Sequence, residues 1–310
     1  MRCGLRSIQR VLSIQDNRSK RLAFRRGIFT RERVVAAIVA VVLIGVGFVV
    51  GLRRLESMMT FRPSRMTAAE AKSIPEGAES VWFEAADGTR LNGRFFPSAT
   101  KPQVGTIIFF HGNGGNISNV GWLAQRFARD GFNVLLFDYR GYGISEGEAG
   151  SEAGLYADGD AAVDFVLKEK SERPEKIVLY GHSLGTAVAA DVASRGSFGA
   201  VVLEAGFSSA SSVASSALPW LPRSLHFIGK NRLESARKLA SVEAPILIAH
   251  GDPDRTIPTT EAHLLYAAAN EPKKLLIVPG AGHVVFGSGG EQYLAQVERF
   301  IREALVRERQ

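Results

Sequence analysis

Ser183, His283 and two carboxylates, Asp252 and Asp254, have types and an order in the chain that suit nucleophilic catalysis. Ser183 is the centre of "GHSLG", residues 181–185, a G-x-S-x-G pattern. A serine hydroxyl is a poor nucleophile until a neighbouring imidazole accepts its proton. A buried carboxylate then fixes the imidazole tautomer and stabilises its charged form. Asp252 and Asp254 lie in "GDPDRTIP" and His283 in "GAGHVVF", so the order is Ser, Asp, His. The pattern alone is cheap, and its competing reading is an ordinary strand-to-helix turn. What distinguishes the two is whether each residue stands where a fold would bring them together.

Ile177, Val178 and Leu179 read as a buried strand, and the alanine-rich run from Thr186 to Ala193 as a helix. Only five residues join them. So tight a turn brings the two backbones close, which makes Gly181 and Gly185 a steric requirement and lifts Ser183 clear at a helix amino end. Around this turn the chain alternates. A hairpin is expected over 79–98 with Asp87-Gly88 at its turn, then strands at 105–112, 133–141, 176–181, 200–206, 245–251 and 273–280. Helices are expected at 118–130, with Ser118 as a possible cap, and at 151–172, 184–195, 259–269 and 291–308. Leading antiparallel strands followed by repeated β-α units give an α/β fold, a mostly parallel sheet with helices on both faces. Residues 207–241 interrupt the alternation and are expected to form a small cap, apolar at "ALPWLP".

In such sheets functional groups gather at the carboxyl ends of strands. Ser183, His283 and both carboxylates fall there. So does "HGNGGN", residues 111–116, whose three glycines leave backbone N–H groups free to face a developing oxyanion. The alternative is a flexible glycine-rich loop. It is not a dinucleotide loop, because the spacing is not G-x-G-x-x-G. Five histidines compete with His283. His111 precedes the glycine-rich loop, and His182 stands beside the serine where it cannot turn back to take the proton. His250 is at a strand end, while His226 and His263 fall in the cap and on a helix. There is no metal-ligand spacing such as H-E-x-x-H, so neither a metal nor another cofactor is expected.

The net charge of +7 does not point to nucleic acid, because it is unevenly placed. Residues 1–60 carry 12 Lys+Arg against 3 Asp+Glu, and the remaining 250 residues carry 26 against 28. The globular part therefore has no basic excess for phosphate contacts. Cys3 is the one cysteine, which rules out an intramolecular disulfide; a solvated thiol is expected. Arginine outnumbers lysine 28 to 10, a bias that hints at a GC-rich bacterial genome.

Residues 34–52, "VVAAIVAVVLIGVGFVVGL", hold no charge in 19 positions. As a helix they span about 28 Å, close to the hydrocarbon thickness of a bilayer. A cleaved signal peptide competes with this reading, but the run starts late and is followed by Arg53 and Arg54 rather than by a small-residue cleavage site. Four segments are expected: a basic cytoplasmic arm (1–33), a transmembrane helix (34–52), a linker (53–78) and a catalytic domain (79–308). The arm has ten Lys+Arg against Asp16 and Glu32, which places the large domain on the non-cytoplasmic side of a bacterial inner membrane. Organelle targeting is the alternative for a eukaryotic source.

"HGNGGN" and "DYRGYGISEG" (138–147), together with the serine turn, make the chain resemble the α/β-hydrolase superfamily over roughly residues 79–305. It is most similar to membrane-anchored serine hydrolases with HGNxGN and DYRGYGxSEG motifs. That group includes eukaryotic proteins that remove palmitate from cysteines, as well as bacterial members. The resemblance implies that the acid is Asp254, since the G-x-x-D pattern falls on Gly251 and Asp254, with Asp252 second. It also implies oxyanion donors at the backbone N–H of Asn113 and of Leu184. The depalmitoylating relatives carry an amino-terminal cysteine cluster, where this chain has one cysteine and an apolar run. The resulting expectation is a membrane-anchored serine hydrolase acting on a small-molecule or acylated ester or thioester through an acyl-enzyme. The alternatives are a serine peptidase of the same fold and a non-catalytic binding protein built on it.

Overall fold

The computed structural model describes residues 31–217, 220 and 230–306. The chain divides into two compact units, Met1–Arg54 and Leu55–Gln310. The basic arm up to residue 30 and Cys3 lie outside the described residues, as do His226 and most of "ALPWLP".

Helix α1 runs over Arg31–Thr60 and contains the uncharged run at 34–52. Its 28 residues Arg31–Met58 are long and apolar enough to cross a membrane, with a mean hydropathy of 3.0 in the best window. The helical pattern carries on past the apolar run through Arg53 and Arg54. In the segment read as a linker, Phe61 and Ile74 are buried. Between them a short helix, α2 (Ala68–Ser73), starts at a capping box made by Thr67 and Glu70.

The larger unit is built on an eight-stranded sheet. Strands β1 (Glu79–Glu84) and β2 (Arg90–Phe96) form the expected hairpin. Then come β3 (Thr106–Phe110), β4 (Asn133–Phe137), β5 (Ile177–His182), β6 (Ala200–Glu204), β7 (Ile246–Gly251) and β8 (Lys273–Val278). The spatial order is β1-β2-β4-β3-β5-β6-β7-β8. β1 and β2 are antiparallel to each other, β2 is antiparallel to β4, and the remaining pairs are parallel. Because β3, β5 and β6 are covered on both faces, every position in them is buried and their sequences are mostly apolar rather than alternating.

Two layers of helices cover the sheet. On one side lie α4 (Glu152–Glu169) and α5 (Leu184–Ala193), with core residues such as Leu155, Val166 and Val188. On the other lie α3 (Gly121–Arg129) and the carboxyl-terminal helix α10 (Gly290–Val306), with Phe127, Leu294 and Ile301. Ser151 caps α4 by accepting from the Gly154 N–H. The cap before α3 differs from expectation. Ser118 lies inside a 3₁₀ turn, Ile117–Val120, and Asn116 is the capping residue. In the break between β6 and β7, the described residues form α6 (Ala210–Ala217) and α7 (Ser235–Leu239). Helix α8 (Thr260–Ala268) links β7 to β8, and a one-turn helix, α9 (Val285–Ser288), follows His283.

Candidate active site

Ser183 occupies the turn between β5 and α5 with φ 52° and ψ −117°, outside the conformations a side chain ordinarily favours. The surroundings over-determine it. Its N–H donates to the Glu204 carbonyl at 2.9 Å, and its own carbonyl accepts from the Thr186 N–H at 3.0 Å and hydroxyl at 2.6 Å. The flanking glycines admit nothing larger. A Cβ on Gly185 would stand 1.9 Å from the Phe110 carbonyl oxygen, and one on Gly181 would stand 2.5 Å from the Gly185 carbonyl oxygen.

His283 reaches the turn from the loop after β8. Its Nε2 is 3.0 Å from Ser183 Oγ and its Nδ1 is 2.7 Å from Asp254 Oδ2. The remaining Asp254 oxygen, Oδ1, accepts the backbone N–H of Thr256 at 2.7 Å and of Ile257 at 3.0 Å. His250 Nε2 lies 3.2 Å from Asp254 Oδ2 and 2.9 Å from the Ile257 carbonyl. Burial works to raise the Asp254 carboxyl. The hydrogen bonds from His250, His283, Ile257 and Thr256 outweigh it and hold the group well below the usual carboxylate range. Asp252 is exposed, and its Oδ1 accepts the Gly280 N–H at 2.7 Å. It braces the loop that carries His283 without reaching the imidazole.

His182 is buried beside the serine and its Nε2 donates to the His283 carbonyl at 3.2 Å. Burial, with the neighbouring His283 adding to it, brings its imidazole down to about 3, so it stays neutral. His263 is exposed on α8.

The glycine-rich loop lies against the serine turn. A Cβ on Gly112 would come within 3.0 Å of His182 Nδ1 and 3.3 Å of Ser183 Cβ. That puts Asn113 next to the site from one side. Leu184 approaches from the other as the first residue of α5, where a helical N–H has no intrahelical acceptor. The "DYRGYG" segment after β4 supports this loop from below. Asp138 Oδ1 accepts the Ile117 N–H at 3.0 Å, and the Tyr139 hydroxyl donates to the His111 carbonyl at 3.2 Å. The Tyr142 hydroxyl donates to Asn113 Oδ1 at 3.2 Å. Arg140 ties the segment to α4 and to the hairpin turn. Its Nε lies 2.9 Å from Asp158 Oδ1 and its Nη1 is 2.6 Å from Asp87 Oδ2.

Glu204 is the residue that sequence reasoning missed. It is fully buried at the end of β6, and its side chain accepts from the Tyr180 hydroxyl at 2.6 Å, the Tyr293 hydroxyl at 2.5 Å and the Phe286 N–H at 3.0 Å. Its carbonyl holds Ser183, while its carboxyl group holds the turn after His283. Its one sequence signal is a carboxylate inside an apolar strand. Among the described residues, no group of three or more His, Cys, Asp or Glu side chains is arranged to hold a metal ion.

A family model described as serine aminopeptidase, S33 (Hydrolase_4), matches residues 101–236. The uncharacterized protein YfhR of Escherichia coli K12 is 39% identical over 245 residues, covering 74% of this chain and 83% of that protein. The uncharacterized protein Rv2307c of Mycobacterium tuberculosis is 35% identical over 277 residues, covering 89% and 98%. Among solved structures, the Pyrococcus furiosus esterase Pf2001 superposes with a TM-score of 0.62 at 19% identity, covering 79% of this chain and 98% of that one. The esterase domain of a Rhodothermus marinus protein gives a TM-score of 0.57 at 20% identity, covering 73% and 98%. At these identities the structural likeness speaks for the fold.

Proposed function

The chain belongs to the α/β-hydrolase superfamily, and from that premise we propose that it is a membrane-anchored serine hydrolase cleaving a carboxylic ester or thioester through an acyl-enzyme. The observation that carries the reading is the unbroken relay from Asp254 to His283 to Ser183, at 2.7 and 3.0 Å. In this reading His283 Nε2 takes the proton of the Ser183 hydroxyl as Oγ attacks the carbonyl carbon. Asp254, held ionised, keeps the other ring proton on Nδ1 and stabilises the imidazolium. The oxyanion of the tetrahedral intermediate lies between the amides of Asn113 and Leu184, each donor worth about 3 kcal/mol in the transition state. His283 returns the proton to the leaving group, and a water, activated by the same imidazole, releases the acyl group from Ser183.

The apolar run in α1 supports anchoring to a membrane. The basic residues before it support a cytoplasmic arm, with the hydrolase domain on the far side of a bacterial inner membrane. An anchored site favours substrates that carry an acyl chain.

A peptidase is the second reading, favoured by the aminopeptidase description of the matching family model. Both readings share the nucleophile and differ in the leaving group. The test uses membranes holding the full-length protein. They are labelled with a fluorophosphonate probe and assayed on a nitrophenyl acyl ester and an aminoacyl nitroanilide, with Ser183→Ala as control. Labelling in the membrane fraction and ester turnover are expected, both lost in Ser183→Ala by roughly 10³-fold or more. Turnover confined to the anilide selects the peptidase. A folded wild type that neither labels nor turns over rejects the serine mechanism.

A further inference from the structure

Asn113 stands between Gly112 and Gly114. A peptide flanked by glycines is free to rotate, so an amide there points reliably only if something else fixes it. The Asn113 side chain supplies the fixed point. Its Oδ1 accepts the backbone N–H of Arg62 at 2.7 Å as well as the Tyr142 hydroxyl at 3.2 Å. Two donors on one amide oxygen set the rotation of the carboxamide, and through Cβ the direction of the Asn113 backbone.

Arg62 comes from the short segment that follows α1, and that segment is itself held. Phe61 is 4% exposed and belongs to the core that contains Tyr139, Tyr142 and Leu155. Two residues on, the Ser64 carbonyl accepts the Gly143 N–H at 2.9 Å, and the Gly143 carbonyl accepts the Met66 N–H at 3.1 Å. Arg65 Nη1 donates to the Ser145 carbonyl at 2.6 Å. Residues 61–66 thus form a strap laid along the "YGIS" stretch, with its N–H at Arg62 aimed at the glycine-rich loop. Gly143 is itself packed against Asp138 of its own segment, since a Cβ there would stand 1.8 Å from Asp138 Oδ2.

We propose that this strap, residues 61–66, is a positioning part of the active site: the Arg62 N–H and the Tyr142 hydroxyl together hold the Asn113 side chain, and so aim the Asn113 amide at the oxyanion. This rests on the serine-hydrolase reading above. It gives the segment between the apolar helix and the catalytic domain a task in the chemistry besides that of a tether. It also predicts a functional difference between variants that differ by a single donor.

The experiment uses the full-length protein in detergent micelles. Arg62→Pro removes the backbone donor, Arg62→Ala shortens the side chain and keeps that donor, and Tyr142→Phe removes only the second donor. Hydrogen–deuterium exchange of residues 111–116 reads the clamp directly. The kcat and KM on a nitrophenyl ester read its consequence, and the melting temperature reads folding. Faster exchange at 111–116 is expected in Arg62→Pro and Tyr142→Phe than in Arg62→Ala. Their kcat should be about tenfold lower than that of Arg62→Ala, with KM and melting temperature held, because a misaimed donor forfeits part of an oxyanion contact. Equal exchange in the three variants overturns the proposal. So does a fall in kcat that tracks a fall in melting temperature, which would make the strap a structural brace alone. If the wild type neither labels nor turns over, the serine-hydrolase reading fails, and the exchange comparison still decides whether the clamp exists.

Discussion

Asp252 and Asp254 are two residues apart in the same loop, and their carboxylates meet different partners. Asp254 Oδ2 faces His283 Nδ1 and its other oxygen is filled by two backbone N–H groups. Asp252 accepts one N–H, from Gly280. The tautomer of His283 therefore depends on Asp254 alone. Asp254→Asn is expected to lower kcat by roughly 10³- to 10⁴-fold, because an amide can present its N–H to the imidazole and strand it in the wrong tautomer. Asp252→Asn keeps an acceptor for Gly280 and should turn over close to wild type. Steady-state kinetics on both variants checks this, and equal losses would reverse the assignment. Residue types and chain order were enough to bring either carboxylate to the right strand end. Between them the resemblance favoured Asp254, and the path of the loop is what sets that carboxylate against His283. His250 was legible as a strand-end residue, but its burial and its contact with the acid needed the fold of 251–257 around Asp254.

The turn between β5 and α5 depends on elements that come from far along the chain. Glu204 joins β6 to β5 through Tyr180, to α10 through Tyr293 and to α9 through the Phe286 N–H. Burial keeps its carboxyl raised above the usual range, against those three donors. Glu204→Ala strands two hydroxyls and one N–H in the core, which is expected to cost at least about 3 kcal/mol. Glu204→Gln should cost less, because its carbonyl can still accept and the two hydroxyls can rotate to receive its N–H groups. Urea unfolding of both variants measures the difference, and equal losses would show that the amide cannot stand in for the carboxyl group on these three donors. The glycine pattern predicted this tight turn from local sterics alone. The Glu204 cluster was not legible, because its members are 24 and 89 residues apart in sequence.

At the scale of the whole molecule, the "DYRGYG" segment couples the glycine-rich loop to the rest of the domain, and Asp138 makes that coupling sensitive to pH. Burial pushes the Asp138 carboxyl up to about 7, with the Ile117 N–H working the other way. An unfolded aspartate titrates near 3.9. Between about 4 and 7 the unfolded chain has therefore released a proton that the folded chain keeps, so stability from this group is full below that window and is lost as pH rises through it. Asp138→Asn has no such proton. Its melting temperature should gain on the wild type as pH rises from 4 to 7 and hold a constant lead above that. Parallel melting curves across the window would show that the carboxyl titrates as if exposed.

The sequence by itself determined the order of strands and helices, the serine turn, the loops that bear Asp254 and His283, and the separation of a basic apolar-flanking arm from a domain of nearly balanced charge. These are local properties: periodicity, glycine at tight turns and the placing of polar residues at strand ends are all written in neighbouring positions. By residue type and spacing Asp252 and Asp254 stayed open, the family resemblance pointed to Asp254, and the tertiary structure sets Asp254 against His283. It also decided that Glu204 braces both the serine and the histidine turn, and that Arg62 and Tyr142 meet on Asn113. Each of those contacts joins residues many positions apart through a single side-chain or backbone atom. The geometry of such a contact depends on the whole sheet, and no spacing in the sequence encodes it.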